Sequence, residues 1–563
     1  MARTVAIGTQ SFERLREGNY FYVDKTDFIR EWWESGDEVT LITRPRRFGK
    51  TLNMTMLEQF FSVQYEGRGD LFEGLSIWEE EKYHKLQGTW PVISLSFARV
   101  KEANYRSARG KLCEIIRNLY IKYSFLQDSE VLTDADREYY KRVLSVDVED
   151  SDVTSALYQM SDYLYRYYQK KVIILLDEYD TPIQEAYLHG FWDEIVSFMR
   201  SLFNSTFKTN PSLARGMMTG ITRVSKESIF SDLNHLKVVT TTSTKYAQYF
   251  GFTEEEVFSA LEEYGLEEKK DLVKFWYNGF TFGEQKGIYN PWSIINFLET
   301  GKVGSYWANT SSNGLVSRLI QRSGSSTKAL FEALLHRESI VSPIDEQIVF
   351  NNLDDNEAAI FSLLVASGYL NVTDIDEEPF LVHGKPALYT LTLTNNEVRS
   401  MFIAMFQRWF DYPGSEYNEF IKALLLGNTK AMTIFMNSIA ARTFSYFDSG
   451  NRPSIYAPER FYHGFVLGLL ADLSDRYHLT SNRESGFGRY DVVIEPFDQR
   501  KDAFILEFKV KDTDENSLVD TVKAALAQIE EKKYDTDLLA RGFKEEQIKK
   551  YGFAFEGKNV LVG

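Results

Sequence analysis

Three mainly apolar runs in the first half of the chain are each followed at once by polar residues. They are Val39–Thr43, Lys171–Leu176 and Gly216–Ile221. Runs of this length that are rich in β-branched and aliphatic residues are typical of strands buried in a parallel sheet. A helical pattern follows the first run and continues through Phe61. The pattern therefore predicts a parallel α/β domain whose strands end in polar residues.

A second pattern lies near the C-terminus. It predicts two antiparallel strands, Arg489–Glu495 and Ala503–Lys511, with Pro496 marking the break between them. A turn centred on Gln499 would place Asp491 opposite Glu507.

Side chains alternate between the two faces of a strand, so this register sorts the hairpin residues into two sets. One set is wholly apolar and is predicted to be buried: Val492, Ile494, Leu506, Phe508 and Val510. The other set is predicted to lie at the surface: Asp491, Val493, Glu507, Lys509 and Lys511.

Between these regions, the pattern from 337 to 410 changes to helix, strand, strand and helix. The predicted elements are Ala358–Ala366, Gly368–Val372, Tyr389–Leu393 and Glu397–Phe410. Helices followed by a two-stranded wing predict a winged-helix-like module. Its wing, Asp374–Glu378, is acidic, which favours a spacer over a DNA-binding module because phosphates require basic partners.

Composition restricts the class of protein. Hydrophobic residues make up 44% and charged residues 26% of the 563 positions, as in ordinary soluble domains. No run approaches the ~18 apolar residues of a membrane span, so no membrane partner is expected. The single cysteine, Cys113, excludes internal disulfides and a zinc site built from cysteines. Together with the absence of a signal-peptide pattern in Met1–Gln10, this predicts a cytoplasmic protein.

The net charge of −17 argues against a broad surface for nucleic acid, although a local basic groove stays compatible with it.

The segment after the first predicted strand has the layout of a phosphate-binding loop. It is Arg44-Pro45-Arg46-Arg47-Phe48-Gly49-Lys50-Thr51, and a helix follows it. Backbone N–H groups of Arg46, Arg47, Phe48 and Gly49 are predicted to cradle ATP phosphates. Lys50 would reach the β- and γ-phosphates, and Thr51 would coordinate Mg²⁺. Arg44 stands where the usual G-x-x-x-x-G-K-[ST] pattern has glycine.

The second and third apolar runs end in candidate partners for this loop. Asp177 fits the acidic residue that holds Mg²⁺, and Glu178 fits the group that polarises the attacking water. After the third run, Thr222 or Arg223 is the candidate γ-phosphate sensor, and pairing of Arg223 with an acid stays an open alternative.

The C-terminal hairpin offers a different chemistry. Asp491 and Glu507 are hard oxygen ligands that suit Mg²⁺ together with a substrate phosphate. Lys509 would orient the attacking water or stabilise charge on the phosphate. The alternative is a solvated hairpin with an ordinary Glu/Lys pair.

The longer context of this hairpin resembles the PD-(D/E)xK nuclease superfamily. Asp491, Glu507 and Lys509 match its core, Glu484 its additional acidic position, and Gln528 the helix after the core. Tyr490 stands where the name of the superfamily has proline. The resemblance is strongest to the nuclease-like domain that many bacterial proteins carry fused to an AAA-ATPase-like domain. The N-terminal motifs, including Leu176-Asp177-Glu178-Tyr179-Asp180, resemble that ATPase-like domain.

The resemblance implies a multidomain α/β protein in four parts. They are an ATPase-like P-loop domain (1–249), a helical lid (250–325), the winged-helix-like module (326–410) and a restriction-endonuclease-like domain (416–563), the last two joined by Asp411–Ser415. The implied function is an ATP-driven switch on a Mg²⁺-dependent nuclease acting on nucleic acid, with DNA favoured, in defence or mobile-element control. The alternative is a non-catalytic sensor or scaffold, and the sequence leaves the oligomeric state open.

Overall fold

The computed structural model describes most of the chain, which forms two compact units. The described residues are 2–223, 229–230, 233–308, 314–323, 325–335, 337–345, 353, 357–410, 416–443, 466, 470, 473, 477–481, 484–485, 488–489, 491–512, 514–556 and 559–563. One unit comprises Met1–Val316 and Val341–Arg399, and the other comprises Ser317–Ile340 and Ser400–Gly563. The predicted multidomain α/β class is confirmed, while the four-part division stays a prediction.

The helices of the described residues are α1 Phe12–Glu17, α2 Asp27–Glu34, α3 Lys50–Phe61, α4 Glu81–His84, α5 Tyr105–Lys122, α6 Asp134–Leu144, α7 Asp150–Tyr168, α8 Thr181–His189, α9 Trp192–Phe207, α10 Glu254–Glu263, α11 Lys270–Tyr277, α12 Pro291–Thr300, α13 Gly314–Arg322, α14 Ser325–Leu335, α15 Glu357–Ala366, α16 Glu378–His383, α17 Asn396–Phe410, α18 Glu416–Leu425, α19 Thr429–Thr443, α20 Leu518–Glu531 and α21 Thr536–Ala540. The strands are β1 Val39–Thr43, β2 Val92–Ser96, β3 Val172–Asp177, β4 Leu213–Gly220, β5 Leu236–Val239, β6 Asn278–Phe282, β7 Gln285–Tyr289, β8 Ile340–Pro343, β9 Leu370–Asp376, β10 Leu388–Leu393, β11 Tyr477–Ser481, β12 Glu484–Ser485, β13 Gly488–Arg489, β14 Val492–Pro496, β15 Ala503–Val510, β16 Ile548–Glu556 and β17 Asn559–Val562.

The N-terminal sheet is parallel, with the strand order β2-β3-β4-β1-β5. The three predicted strands are β1, β3 and β4, and all are present within a few residues of their predicted ends. Strands β2 and β5 were not predicted, because their short runs lack the continuous apolar character of the central strands. The order places β4 between the P-loop strand β1 and the acidic strand β3, so the carboxyl ends of all three lie side by side.

One face of this sheet carries a large aromatic core. The buried side chains that form it include Phe28 and Trp32 of α2, Leu57 and Phe60 of α3, and Ile42, Ile173, Leu175 and Met217 of the sheet. Each fully buried aromatic or aliphatic side chain of this kind contributes about 1.5–3 kcal/mol through burial. The loop between β1 and α3 therefore starts and ends on rigid elements.

Two smaller structures complete the N-terminal unit. Helices α10 to α12, in the segment predicted to be a lid, pack around Val257, Leu261, Tyr277, Ile294 and Phe297. A hairpin of β6 and β7 lies within this segment and was not predicted.

The predicted winged-helix elements are also present, as α15, β9, β10 and α17, with β8 completing a three-stranded sheet in the order β8-β10-β9. The acidic segment Asp374–Glu378 was predicted to form the wing, with no helix in it. The structure instead extends β9 to Asp376 and adds α16.

The C-terminal unit contains a mixed sheet in the order β11-β14-β15-β16-β17, in which β15 and β16 are parallel. The first predicted hairpin strand begins later than expected, at Val492, because Gly488–Arg489 pairs with Glu484–Ser485 in a separate small hairpin. The predicted linker Asp411–Ser415 lies outside the described residues. No helix in the described part of the chain is long and apolar enough to span a membrane.

Both faces of the C-terminal sheet are covered, which corrects one expectation. The apolar set, including Val492, Leu506 and Phe508, is buried with residues of α18 and α19, as predicted. The opposite face was predicted to lie at the surface. There, Val493 and Ile505 are instead buried with Ile529 and Tyr534, because α20 and the segment after it pack over that face.

Candidate functional sites

The P-loop is shaped by two residues in the left-handed region. Gly49 has φ 80° and directly precedes the first residue of α3, Lys50. Arg47 has φ 65°. Nothing lies within 4 Å of where a Cβ on Gly49 would sit, so the backbone angle and not space favours glycine there. The loop therefore turns sharply into the start of α3. The N-terminus of a helix is where free backbone N–H groups bind anions.

The Lys50 ammonium is held by its own loop. Its Nζ donates hydrogen bonds of 2.8 Å to the carbonyl oxygens of Arg44 and Pro45, and the residue is 6% exposed. Burial lowers the pKa of Lys50, while the nearby carboxylates of Glu178 and Asp177 act in the opposite direction. A compact point charge in this position is the group that P-loop proteins direct at phosphate.

The structure joins the predicted magnesium ligands directly. Thr51 Oγ1 donates a 2.8 Å hydrogen bond to Asp177 Oδ2, although the two residues are 126 positions apart. The other carboxylate oxygen, Oδ1, accepts from the Thr219 hydroxyl. Burial raises the pKa of Asp177. A hydroxyl and a carboxylate in contact form the hard-oxygen pair that Mg²⁺ uses beside a nucleotide.

Glu178 follows Asp177 with a left-handed backbone, φ 52°. Non-glycine residues seldom adopt this conformation, and such strain is concentrated at functional sites. Its Oε2 accepts a 3.1 Å hydrogen bond from Thr181. Glu178 thus lies just beyond the end of β3, and its charge acts on Lys50.

The two sensor candidates have different surroundings. Thr222 donates from its backbone N–H (2.8 Å) and its hydroxyl (2.9 Å) to Asp180 Oδ2, so its hydroxyl is committed to a buried carboxylate. Arg223 is half-buried and lines a cleft with residues that include Thr43 and Thr240. Because β4 lies between β1 and β3, Arg223 follows the strand between the two halves of the site. Of the two candidates, Arg223 is the one available to a phosphate.

Arg44, the departure from the usual glycine, is a structural residue. Its side chain is 0% exposed and donates to the carbonyl oxygens of Thr43, at 3.0 Å, and Thr240. The guanidinium lies 4.6 Å from the centre of the Phe282 ring. Burial lowers the pKa of Arg44 to about 9. The sequence offered no sign of this role, because the contacts come from the segment after β5 and from the unpredicted hairpin.

Aromatic residues of the segment predicted to be the lid contact the P-loop. Phe48 is buried against Phe280 and Phe282, with ring centres 4.7 and 5.4 Å away. The Trp307 indole N–H donates a 3.0 Å hydrogen bond to the carbonyl oxygen of Arg46. The Arg47 guanidinium lies 4.2 Å from the centre of the Trp292 ring. No local sequence motif links these aromatic residues to the loop.

The predicted register of the C-terminal hairpin is confirmed. Val492 faces Leu506 and Val493 faces Ile505, which centres the turn on Gln499 and puts Asp491 opposite Glu507. Asp491 Oδ2 accepts a 2.8 Å hydrogen bond from the backbone N–H of Phe508, the residue after Glu507. The two carboxylates therefore sit at the same end of one rigid strand pair.

Glu507 is 3% exposed and is contacted from α20. Gln528 Nε2 donates to Glu507 Oε1 and, at 3.1 Å, to the hydroxyl oxygen of Tyr534. The pKa of Tyr534 is raised first by burial, with further contributions from the charges of Glu507 and Asp491. Tyr534 and Glu507 thus share Gln528 as a hydrogen-bond donor, on the face that α20 covers.

The remaining predicted residues are placed as follows. Lys509 is half-buried and lies two positions after Glu507 on β15, so it shares that face. Lys511 is bound to Glu556 at 2.6 Å. Glu484 lies on β12, and its side chain is outside the described structure.

Comparison with known proteins agrees with this geometry. Residues 6–230 match the family described as Predicted AAA-ATPase, and residues 457–563 match the PD-(D/E)XK nuclease superfamily. The predicted pairing of the two domains is confirmed. A relative from Azotobacter chroococcum mcd 1, named as an uncharacterized protein in the vnfD 5' region, is 25% identical over 555 residues, covering 96% of this chain and 94% of the relative.

Among solved structures, a Signal Transduction ATPase with Numerous Domains from Pyrococcus horikoshii, which has a tetratricopeptide repeat sensor, shows a weak likeness. It is 14% identical with a TM-score of 0.25, and the match covers 80% of this chain and 53% of that chain. This chain thus spans about half the length of the archaeal one. A TM-score this low supports no conclusion about fold.

Proposed function

We propose that the N-terminal AAA-ATPase-like domain binds and hydrolyses ATP with Mg²⁺. The contact between Thr51 and Asp177 supports this, because it brings the two candidate magnesium ligands together at the start of α3. Lys50 exchanges its two carbonyl partners for the β- and γ-phosphate oxygens when nucleotide binds. Glu178 orients the attacking water, and Arg223 contacts the γ-phosphate.

The C-terminal domain, in this proposal, hydrolyses phosphodiester bonds of nucleic acid, with DNA as the favoured substrate. The observation that carries this half is the hairpin register, which sets Asp491 opposite Glu507. Mg²⁺ would supply a Lewis acid there. Lys509 orients the attacking water or stabilises charge on the phosphate, and Gln528 fixes the Glu507 carboxylate.

The two carboxylates of Asp491 and Glu507 suit Mg²⁺ better than metals that take all their ligands from protein side chains. Among the described residues, no group of three or more histidine, cysteine, aspartate or glutamate side chains is arranged to hold an ion. Mg²⁺ is commonly held by one or two carboxylates together with substrate phosphate and water. Asp491 and Glu507 meet that requirement once nucleic acid is present.

ATP binding or hydrolysis would then control the nuclease, so that ATP acts as a switch. A switch of this kind requires nucleotide to bind two arrangements of the chain with different affinity. Defence or mobile-element control is the proposed setting, by analogy with similar fusions. The rival proposal is a sensor in which the nuclease fold only binds nucleic acid.

The test is incubation of the purified chain with single- and double-stranded DNA and RNA, with and without ATP and Mg²⁺. We expect cleavage that needs Mg²⁺ or Mn²⁺, stops with EDTA and changes in rate with ATP. Retention of the nucleic acid without cleavage, in every metal condition, would favour the rival sensor. Cleavage at the same rate with and without ATP would refute the switch alone.

A further inference from the structure

The hairpin of β9 and β10 ends in a surface that neither proposed activity uses. We call the segment 374–383 the wing tip. It contains the end of β9 and the short helix α16, Glu378–His383. Three consecutive large apolar residues of α16 are exposed: Phe380 by 62%, Leu381 by 73% and Val382 by 62%. Ile375 on the adjoining strand is 44% exposed.

The geometry of a helix makes this exposure informative. Successive residues point about 100° apart around an α-helix, so three consecutive side chains cover more than half of its circumference. All three are exposed by more than half, so α16 stands clear of the rest of the unit on most sides. Single exposed apolar residues are common, whereas a contiguous apolar run is typical of a binding surface.

A hydrogen bond lies at each end of α16 in the wing tip. Asp376 Oδ1 accepts a 3.0 Å hydrogen bond from the backbone N–H of Glu378, at the start of α16. At the other end, Gly384 adopts φ 62° and its N–H donates to the carbonyl oxygen of Phe380 at 3.0 Å. The three apolar side chains are therefore presented on a capped helix.

Charge decides which partner this surface fits. Four exposed acidic residues border the apolar run: Asp374, Asp376, Glu377 and Glu378. Within the described part of the chain, none of these four carboxylates forms an ion pair, and the basic residues close by in sequence are His383 and Lys385. Four carboxylates repel nucleic acid and anionic lipid, which removes those two classes of partner.

We propose that the wing tip docks an apolar segment of another protein that carries lysine or arginine residues. The apolar side chains of α16 become buried in the complex, and the four carboxylates pair with the basic residues. Buried apolar anchors carry most of the affinity at such sites, while charges at the rim set specificity and association rate. This docking is independent of both proposed activities.

The probe is a phage-displayed library of short random peptides, selected on the full chain and counter-selected on the Phe380→Ser/Leu381→Ser variant. We expect enriched peptides that combine Leu, Ile or Phe with Lys or Arg. A synthetic enriched peptide, followed by fluorescence anisotropy, should bind the serine variant at least about tenfold more weakly. It should lose a similar factor when the four acidic residues become Asn or Gln, and its affinity should fall with salt.

The matched control is Leu426→Ser/Ile434→Ser. These two apolar side chains are exposed by 76% and 62% but have no acidic residue near them in sequence. This variant should bind the peptide like the parent chain, and circular dichroism should show all variants folded.

Three outcomes would overturn the proposal: no enrichment over the counter-selection, enrichment of acidic or uncharged peptides, or equal binding by all variants. Two further measurements test other occupants. Sedimentation showing self-association that Phe380→Ser abolishes would assign the surface to a second copy. Loss of DNA binding in that variant would assign it to nucleic acid.

Discussion

The two candidate sites are assembled in opposite ways. Glu507 lies on β15 and Asp491 directly precedes β14, the other strand of the hairpin, so a turn position suffices to bring them together. Thr51, at the start of α3, and Asp177, at the end of β3, are 126 positions apart, and β4 separates β3 from β1, the strand that leads to α3. The register of a hairpin follows from the alternation of apolar and polar residues along its two strands. A site built from the ends of parallel strands forms only when the whole sheet is in place.

The charged groups also differ in what holds them. Lys50 is bound by carbonyl oxygens of its own loop, which a phosphate can replace without disturbing another element. Glu507 is bound by Gln528 of α20, an element that covers the site. The N-terminal site is thus prepared to exchange partners, while the C-terminal site is held by a covering helix. Four predictions test this difference.

The largest effect is expected from removing a carboxylate of the hairpin. Asp491→Ala and the near-isosteric Glu507→Gln should each lower metal-dependent cleavage by about 100- to 1,000-fold, because each removes a preorganised charge at the reacting phosphate. ATP hydrolysis should stay unchanged, which separates the two sites. Labelled nucleic acid on denaturing gels measures the loss. Glu556→Ala, on the neighbouring strand, is the control, and cleavage unaffected by either site variant would show that the hairpin is not the active site.

At the N-terminal site, Lys50→Ala should weaken ATP binding by about 10- to 100-fold, the equivalent of one lost charged hydrogen bond. Calorimetry measures the affinity, with the exposed Lys237→Ala as control. Glu178→Gln should keep the affinity and lose hydrolysis. If Lys50→Ala bound ATP as tightly as the unchanged chain, the P-loop assignment would be wrong. If Glu178→Gln hydrolysed ATP at the same rate as the unchanged chain, Glu178 would not orient the attacking water.

The covering helix gives a smaller effect. Gln528→Ala should reduce cleavage by about tenfold or somewhat more, because a residue that orients a metal ligand is worth less than the ligand. The Mg²⁺ concentration for half-maximal rate should rise, which a loss of folding alone would not produce. Glu531→Ala, exposed on the same helix, serves as the control. An unchanged Mg²⁺ requirement would mean that Gln528 does not position Glu507.

The smallest effect on function is expected at Arg44. Restoring the usual glycine with Arg44→Gly should leave ATP affinity within about twofold, since the guanidinium is bound to the carbonyl oxygens of Thr43 and Thr240. It should lower the free energy of unfolding by about 1–3 kcal/mol, because buried carbonyl oxygens lose their donor. Denaturant unfolding measures this. A clear gain in ATP affinity without loss of stability would contradict the structural role.

Much of both sites could be predicted because the signals are local. Val39–Thr43, the helix after it and the strand ending in Asp177 are visible as apolar runs punctuated by polar residues. The hairpin register follows from a period of two around Gln499. These patterns are local. A strand or helix with one buried face requires apolar residues at a regular spacing, which is visible within a few neighbouring residues.

Other features depend on residues far apart in the chain. The burial of Glu507 arises when α20 packs over a face predicted to lie at the surface. The role of Arg44 arises from carbonyl groups beyond β5 and from the ring of Phe282. The sequence pattern around Glu507 or Arg44 does not predict these contacts. Each contact joins elements that are far apart in the chain and that the sheet topology brings together.

The sequence alone therefore predicted the two candidate sites and their residues, and it predicted the hairpin register that the structure confirms. Tertiary structure decided the contact of Thr51 with Asp177, the commitment of Thr222 to Asp180 and the burial of Glu507. The physical reason is that side-chain periodicity encodes which face is buried, while the partner on that face comes from long-range packing.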